Sequence, residues 1–278
     1  MRSSKRCFLL GISALLLLPA LPADTNAQEA RRRWERMCQI RKDKFDLILP
    51  EVMRENGIDM WITSVREGDY GPLYDDMGRG YPGDLGFYIF SDRGGNRIER
   101  AALGVGGYLL EECGVYDIVT GAGELADFVA ERDPQTIGIN MSSSIGAADG
   151  LSHTSYQHLQ ETLGDRYAAR FVSAEKLVSD FRSRRVATEV AAFAEAGEIS
   201  REIAERALSN EVITPGITAL EDVAWWIMDE LQRRGLGSSF DMPSIYITGP
   251  TGIEAVSNDR IIQRGDLINL DWGVGFLN

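Results

Sequence analysis

The chain has 278 residues and a formal net charge of −13, with 44% apolar and 26% charged residues. This length accommodates two ordinary domains, and the composition is typical of a globular protein rather than a disordered, collagen-like or multi-span membrane protein. The acidic charge repels phosphate backbones and anionic lipid head groups, so we expect no nucleic-acid partner.

The N-terminus has the features of a secretory signal. Basic residues precede an apolar run at 8–18 (FLLGISALLLL), and Ala27 is a small residue after which cleavage is expected. The run is shorter than the roughly 20 residues that a bilayer span requires. We therefore predict a cleaved signal peptide over residues 1–27 and an exported protein, periplasmic or secreted, that is not stably inserted in a membrane after cleavage. An uncleaved anchor is the alternative.

The cysteines and histidines lack the spacing of a metal site. Cys7 falls in the predicted signal, which leaves Cys38 and Cys113; we expect two separate buried thiols, and a disulfide is the alternative that an oxidising compartment would permit. His153 and His158 are five residues apart on a predicted helix and do not share a face, so we expect surface or packing positions for both.

The first half of the chain alternates between helical and extended patterns. A charged helical stretch at 29–56 is expected to be interrupted at Pro50 and to end at Asn56-Gly57. Strands are predicted at 58–63, 86–90, 97–103 and 136–140, an apolar segment at 116–119, and helices at 124–132 and 152–163. A turn at 92–95 joins two of the strands as a hairpin. The alternation predicts an α/β layered domain with a partly parallel sheet.

The pattern changes after a charged stretch at 180–185 (DFRSRR), where we place a domain boundary. One apolar face of a long helix is predicted from Val190, Phe193, Ala196, Ile199, Ile203 and Ala207. A Pro-Gly turn follows, and Thr218 and Glu221 have the spacing of a capping box that opens a second helix. Short strands are predicted at 244–248 and 260–262.

The last segment is a turn at 263–266 followed by an alternating strand. Four apolar residues are expected on one face of this strand: Ile268, Leu270, Trp272 and Val274. Asp271 is therefore expected on the opposite face. Because aspartate is a poor strand former, its position in the strand indicates a specific role.

Two of these segments together resemble the pita-bread metallopeptidase family, which includes Xaa-Pro aminopeptidases, prolidases, methionine aminopeptidases and creatinase. They are 212–218 (VITPGIT) and 265–273 (GDLINLDWG). In the first half, 59–61 (DMW), 136–140 (TIGIN) and 148–152 (ADGLS) resemble the creatinase-type N-terminal domain. The resemblance implies an α/β creatinase-like N-terminal domain at 28–182 and an incomplete α+β pita-bread catalytic domain at 183–278.

The family's metal site would be only partly present. The resemblance implies two divalent ions, Mn, Co or Zn, held by two Asp, one His and two Glu, and Asp271 matches the first Asp. The other four ligands are expected beyond Asn278, so we interpret the chain as C-terminally truncated. One carboxylate cannot hold two ions, and we therefore expect this fragment to bind no ion pair and to be inactive.

For the parent protein, the resemblance implies an exported dinuclear aminopeptidase of Xaa-Pro type that hydrolyses small peptides as a homo-oligomer. Many relatives carry a substrate-contacting His before the Gly-Asp turn, but the stretch 249–259 contains none. For this reason no catalytic or substrate-binding residue is assigned, and two alternatives stay open. The parent could be a non-catalytic scaffold that binds a partner, or a creatinase-like hydrolase of a non-peptide amidine.

Overall fold

The computed structural model of the protein describes residues 25–254 and 256–277. The predicted signal peptide lies outside the described residues except for 25–27. The helices are α1 Thr25–Asp43, α2 Leu49–Glu55, α3 Tyr74–Met77, α4 Tyr108–Cys113, α5 Leu125–Arg132, α6 His153–Ala168, α7 Glu175–Ser183, α8 Ala187–Ala207 and α9 Leu220–Arg233. The strands are β1 Met60–Arg66, β2 Tyr81–Ser91, β3 Glu99–Gly106, β4 Ile118–Thr120, β5 Ile137–Ile139, β6 Phe171–Ser173, β7 Gly237–Ser238, β8 Ser244–Gly249, β9 Gly252–Glu254, β10 Leu267–Asp271 and β11 Val274–Gly275.

The interruption predicted at Pro50 is not found there, because the irregularity lies just before this residue. A five-residue π-helical turn, Lys44–Ile48, separates α1 from α2. Pro50 is the second residue of α2 and closely follows this turn, so the chain stays helical through it. Gly57 then ends the segment with a φ of +62°, a conformation that favours glycine.

Six strands form one mixed sheet in the order β4-β3-β2-β1-β5-β6. Strand β2 is antiparallel to β1 and β3, which confirms the predicted hairpin, and the β1–β5, β5–β6 and β3–β4 pairs are parallel. One face of the sheet packs against α2 and α7, and the other packs against α5 and α6. This mixed α/β fold confirms the predicted class, because each crossover helix covers a face of the sheet.

A third core lies in the last part of the chain. It joins the second half of α8, the apolar face of α9 and the inward side of β8, with Ile203, Ile227, Ile245 and Ile247 among its buried members. Here β10, β8 and β9 form a three-stranded sheet, and β11 pairs with β7. The boundary placed at 182/183 stays a prediction.

Two expectations for this part of the chain are wrong. The predicted apolar face of α8 is buried only in its second half, and Val190 and Phe193 are each 55% exposed. The first half of α8 contacts α1 through Ala192 instead, which packs with Ile40. The strand expected at 260–262 is reduced to a single bridge between Ile261 and Ala219.

Cys38 and Cys113 form a disulfide, so the expectation of two separate thiols is also wrong. Their Cα atoms are 5.4 Å apart although 75 positions separate them in sequence. The fold brings α1 against the end of α4, which local sequence patterns do not indicate. The bond therefore ties the first helix to the sheet domain.

The two histidines are at the surface, as predicted. The ring of His158 stacks over Phe87 with 6.2 Å between centroids, which is a packing contact. Within the described residues, no helix combines the length and the apolar character that a bilayer crossing requires.

Candidate active site

The Pro-Gly turn and the segment before β10 are joined by backbone hydrogen bonds. The Gly216 N–H donates to Ile262 O at 2.7 Å, and the Ile262 N–H donates to Thr218 O at 2.9 Å. Gly216 has a φ of +85°, which a residue with a Cβ rarely adopts. The Pro-Gly segment is thus in direct contact with Ile262, which lies just before the second segment of the family resemblance.

The predicted capping box is displaced by one residue. Helix α9 is capped by Ala219, whose N–H donates to the Asp222 carboxylate at 2.8 Å. Alanine has no side-chain acceptor, so only this half of a capping box exists. The Thr218 hydroxyl instead accepts from the Thr214 N–H at 2.9 Å and donates to Val212 O at 3.2 Å. Thr218 therefore stabilises the Pro-Gly turn rather than the helix.

The turn before β10 is organised by Asp266. Its carboxylate accepts two hydrogen bonds from the Arg260 guanidinium, at 2.8 and 3.0 Å, and one from the Gln263 N–H at 2.7 Å. The Arg260 hydrogen bond and the Gln263 N–H hold the pKa of Asp266 below its ordinary value, because they stabilise the charged form. This turn sets where β10 begins and hence which residues face outward.

Strand β10 alternates as predicted. Ile268 and Leu270 pack against the third core, whereas Leu267, Asn269 and Asp271 are exposed. Since the side-chain period of a strand is two, a shift of one residue would bury Asp271. The structure therefore places Asp271 on the sheet face opposite α8 and α9.

The neighbours of Asp271 come from β8, which pairs with β10 in antiparallel register. Ser244 lies opposite Asp271, Tyr246 opposite Asn269 and Thr248 opposite Leu267. These polar residues of β8 were not singled out from the sequence. Their alternation with Ile245 and Ile247 is the signal that could have indicated them.

The described residues do not complete a metal site. Within residues 25–254 and 256–277, no group of three or more His, Cys, Asp or Glu side chains is arranged to hold an ion. Oxygen ligands suit divalent cations, so Asp271 fits the role of one ligand. Its hydroxyl and amide neighbours do not replace the other carboxylates that an ion pair requires.

The part of the chain that contains both motifs matches a known protein family. Residues 191–278 match the model of metallopeptidase family M24. The resemblance to the pita-bread metallopeptidases is confirmed. No match is found among the sequences of curated proteins.

Solved structures of peptidases share the fold over most of the chain. An Xaa-Pro dipeptidase from Bacillus anthracis is 22% identical, with a TM-score of 0.53 over 89% of this chain and 62% of its own. An X-Pro aminopeptidase from Thermotoga maritima MSB8 is 18% identical, with a TM-score of 0.57 over 82% of this chain and 61% of its own. Zinc-substituted aminopeptidase P from E. coli, solved with product, is 15% identical, with a TM-score of 0.52 over 88% and 59%.

These matches define how far the comparison extends. All three identities are below 25%, so the likeness shows the fold alone. The chain spans about three fifths of the length of the structures it matches.

Proposed function

We propose that this chain is the N-terminal part of an exported, metal-dependent peptidase of Xaa-Pro type that hydrolyses small peptides. The observation that carries the proposal is the position of Asp271. It stands at the end of β10 on the face that the helices leave open. Its strand follows a turn hydrogen-bonded through Ile262 to the Pro-Gly segment, in the motif order of the M24 family.

The metal requirement of the parent protein is part of this proposal. Asp271 would supply one carboxylate, and a second Asp, a His and two Glu would come from sequence beyond Asn278. A bound pair of Mn, Co or Zn ions would supply Lewis-acid chemistry at the scissile carbonyl. The zinc-substituted aminopeptidase P among the matched structures supports a divalent metal. Reading the parent sequence downstream tests this directly, since absence of those four ligands would end the peptidase proposal.

The role of Asp271 is tested in the full-length parent. We expect Asp271→Asn to reduce hydrolysis of an Xaa-Pro dipeptide by at least about a hundredfold, since a missing ligand weakens the metal site. Bound metal, measured by elemental analysis, should fall in parallel. Asp259→Asn is the matched control, because this exposed carboxylate lies in the preceding loop and off the sheet face.

The outcomes also separate the alternative functions. A parent that binds two ions but turns over a guanidino compound and no Xaa-Pro peptide would be the amidine hydrolase. A parent that binds no ions and turns over neither substrate would be the non-catalytic scaffold. Retention of both metal and activity in the Asp271→Asn variant would contradict the assignment of this residue. The 278-residue chain itself is expected to show no turnover.

Export is proposed on two grounds. The first is the signal pattern at 1–27, and the second is the Cys38–Cys113 disulfide, a bond that persists in oxidising compartments. N-terminal sequencing of the protein recovered from its native compartment should give Gln28 as the first residue. Recovery of an intact Met1 terminus in the cytoplasm would contradict export. The homo-oligomer implied for the parent would be checked by light scattering.

A further inference from the structure

A cavity of about 720 Å³ lies between α1, α7 and α8, and Asp271 does not line it. Its volume is within the range of small-molecule sites. Part of its wall is apolar and includes Met37, Ile40, Ala192 and Phe193. The charged part of its wall consists of Arg41, Lys44, Asp76, Arg182, Arg185 and Glu189. Charges of both signs thus meet an apolar surface in one partly open cavity.

Lys44 is the most deeply buried charge in this wall, at 5% exposed. It is the first residue of the π-helical turn, an irregularity that is frequent at functional sites. Its Nζ is 3.5 Å from Glu189 Oε2 and 4.8 Å from the centroid of the Phe181 ring. An ammonium has three N–H donors. Within the described residues, neither of these two contacts is a hydrogen bond of normal length.

Glu189, which faces Lys44, has one carboxylate oxygen without a hydrogen bond within the described residues. Its Oε1 accepts from Arg185 Nη1 at 2.6 Å, whereas its buried Oε2 has no hydrogen-bond partner within residues 25–254 and 256–277. Buried polar atoms are satisfied in most folded proteins, and each exception asks for an explanation. A ligand group that donates to this oxygen would supply one.

The pKa values of Lys44 and Asp76 are both shifted in the direction that favours their neutral forms. Burial lowers the pKa of Lys44, and the neighbouring Glu189 carboxylate offsets only part of that effect. Burial likewise raises the pKa of Asp76, which Arg182 opposes from 3.5 Å. Both charged forms would therefore be favoured further by a ligand that brings in the opposite charge.

We propose that this cavity binds a free α-amino acid with an apolar side chain. The carboxylate of the amino acid would accept from Lys44, its ammonium would donate to Glu189 Oε2, and its side chain would lie against Met37 and Phe193. In an α-amino acid the ammonium and the carboxylate are attached to the same carbon. The two groups therefore match the Lys44 ammonium and the Glu189 carboxylate, whose Nζ and Oε2 atoms are 3.5 Å apart.

Calorimetric titration of the 278-residue chain with L-leucine tests the proposal. Two analogues keep the leucine side chain but carry one charge each: 4-methylpentanoate lacks the ammonium, and 3-methylbutylamine lacks the carboxylate. Leucine is expected to bind at least about tenfold more tightly than either analogue, because each loses one charge-assisted hydrogen bond. A chelator in the buffer keeps the result independent of any metal site and so of the proposed peptidase activity.

Variants locate the binding. Lys44→Met keeps the length of the stem without its charge and should weaken leucine binding at least tenfold. Glu189→Gln should weaken leucine binding by the same factor. It replaces Lys44→Met as the test variant if thermal unfolding shows that Lys44→Met does not fold. Lys176→Met is the matched control, because this exposed lysine pairs with Asp180 away from the cavity. The proposal is overturned if leucine does not bind, if either analogue binds equally well, or if both cavity variants bind like the wild type.

Discussion

The Trp61 indole donates a hydrogen bond of 2.8 Å to Asn140 Oδ1 inside the six-stranded sheet domain. Asn140 is 2% exposed, and its amide donates in turn to Thr63 Oγ1 at 2.9 Å. Strands β1 and β5 are parallel neighbours, so these residues meet although 79 positions separate the tryptophan from the asparagine. Two of the three segments that resembled a creatinase-type domain, 59–61 and 136–140, are thus joined by one buried polar network.

Replacement of Asn140 by leucine is expected to lower the free energy of unfolding by about 1–3 kcal/mol. The substitution keeps the volume but leaves the indole N–H buried without an acceptor. Urea denaturation followed by tryptophan fluorescence measures the change. Asn96→Ala, in the exposed β2–β3 loop, should change stability by less than about 0.5 kcal/mol. An equally small effect at Asn140 would show that the network contributes little.

The Cys38–Cys113 disulfide is expected to stabilise the folded chain by about 2–4 kcal/mol, because it restricts the unfolded state across 75 residues. The double variant Cys38→Ser, Cys113→Ser should lose that amount in chemical denaturation. A reductant should destabilise the wild type to the same level and leave the double variant unchanged. Two free thiols in the purified protein, detected by mass spectrometry after alkylation, would contradict the pairing.

Glu230 is 3% exposed and accepts from Arg206 at 2.8 Å and from Arg234 at 2.9 Å. Burial raises the pKa of Glu230, but the Arg234 hydrogen bond and the charges of Arg206 and Arg233 outweigh burial, so its pKa lies below the ordinary value. Glu230→Gln is expected to cost about 1.5–3 kcal/mol, since charge-assisted hydrogen bonds are lost. Thermal unfolding of this variant is compared with Glu205→Gln, an exposed ion-pair residue for which we expect under about 1 kcal/mol.

Asp266 should make the stability of the β10 turn dependent on pH. Its pKa in the folded chain is lowered by Arg260, so its contribution is fully present above the pKa of the unfolded state. That contribution is lost as the pH falls through the folded pKa. The difference in unfolding free energy between the wild type and Asp266→Asn should therefore shrink as the pH falls below about 5. A difference that is constant over this range, measured by urea denaturation, would contradict a titrating Asp266.

Several local features could be predicted because they depend on near neighbours in sequence. The helix end at Gly57, the hairpin after β2 and the outward position of Asp271 follow from glycine conformation, glycine turns and the period of two in a strand. Strand β1 was expected at 58–63 but extends from Met60 to Arg66, because β2 pairs with it as far as Arg66 opposite Leu85. A local pattern does not show how far a partner strand reaches.

By itself, the sequence indicated the α/β alternation of the first half, the two family motifs and the outward position of Asp271 in its strand. Only the tertiary structure decided that Cys38 and Cys113 bond, that the first half of α8 packs on α1 through Ala192, and that Lys44 and Glu189 meet in one cavity. The reason is physical: helix and strand periods arise from backbone geometry over a few residues, whereas these contacts join segments 75 or more residues apart. Their formation depends on how whole layers pack, which no short window of sequence contains.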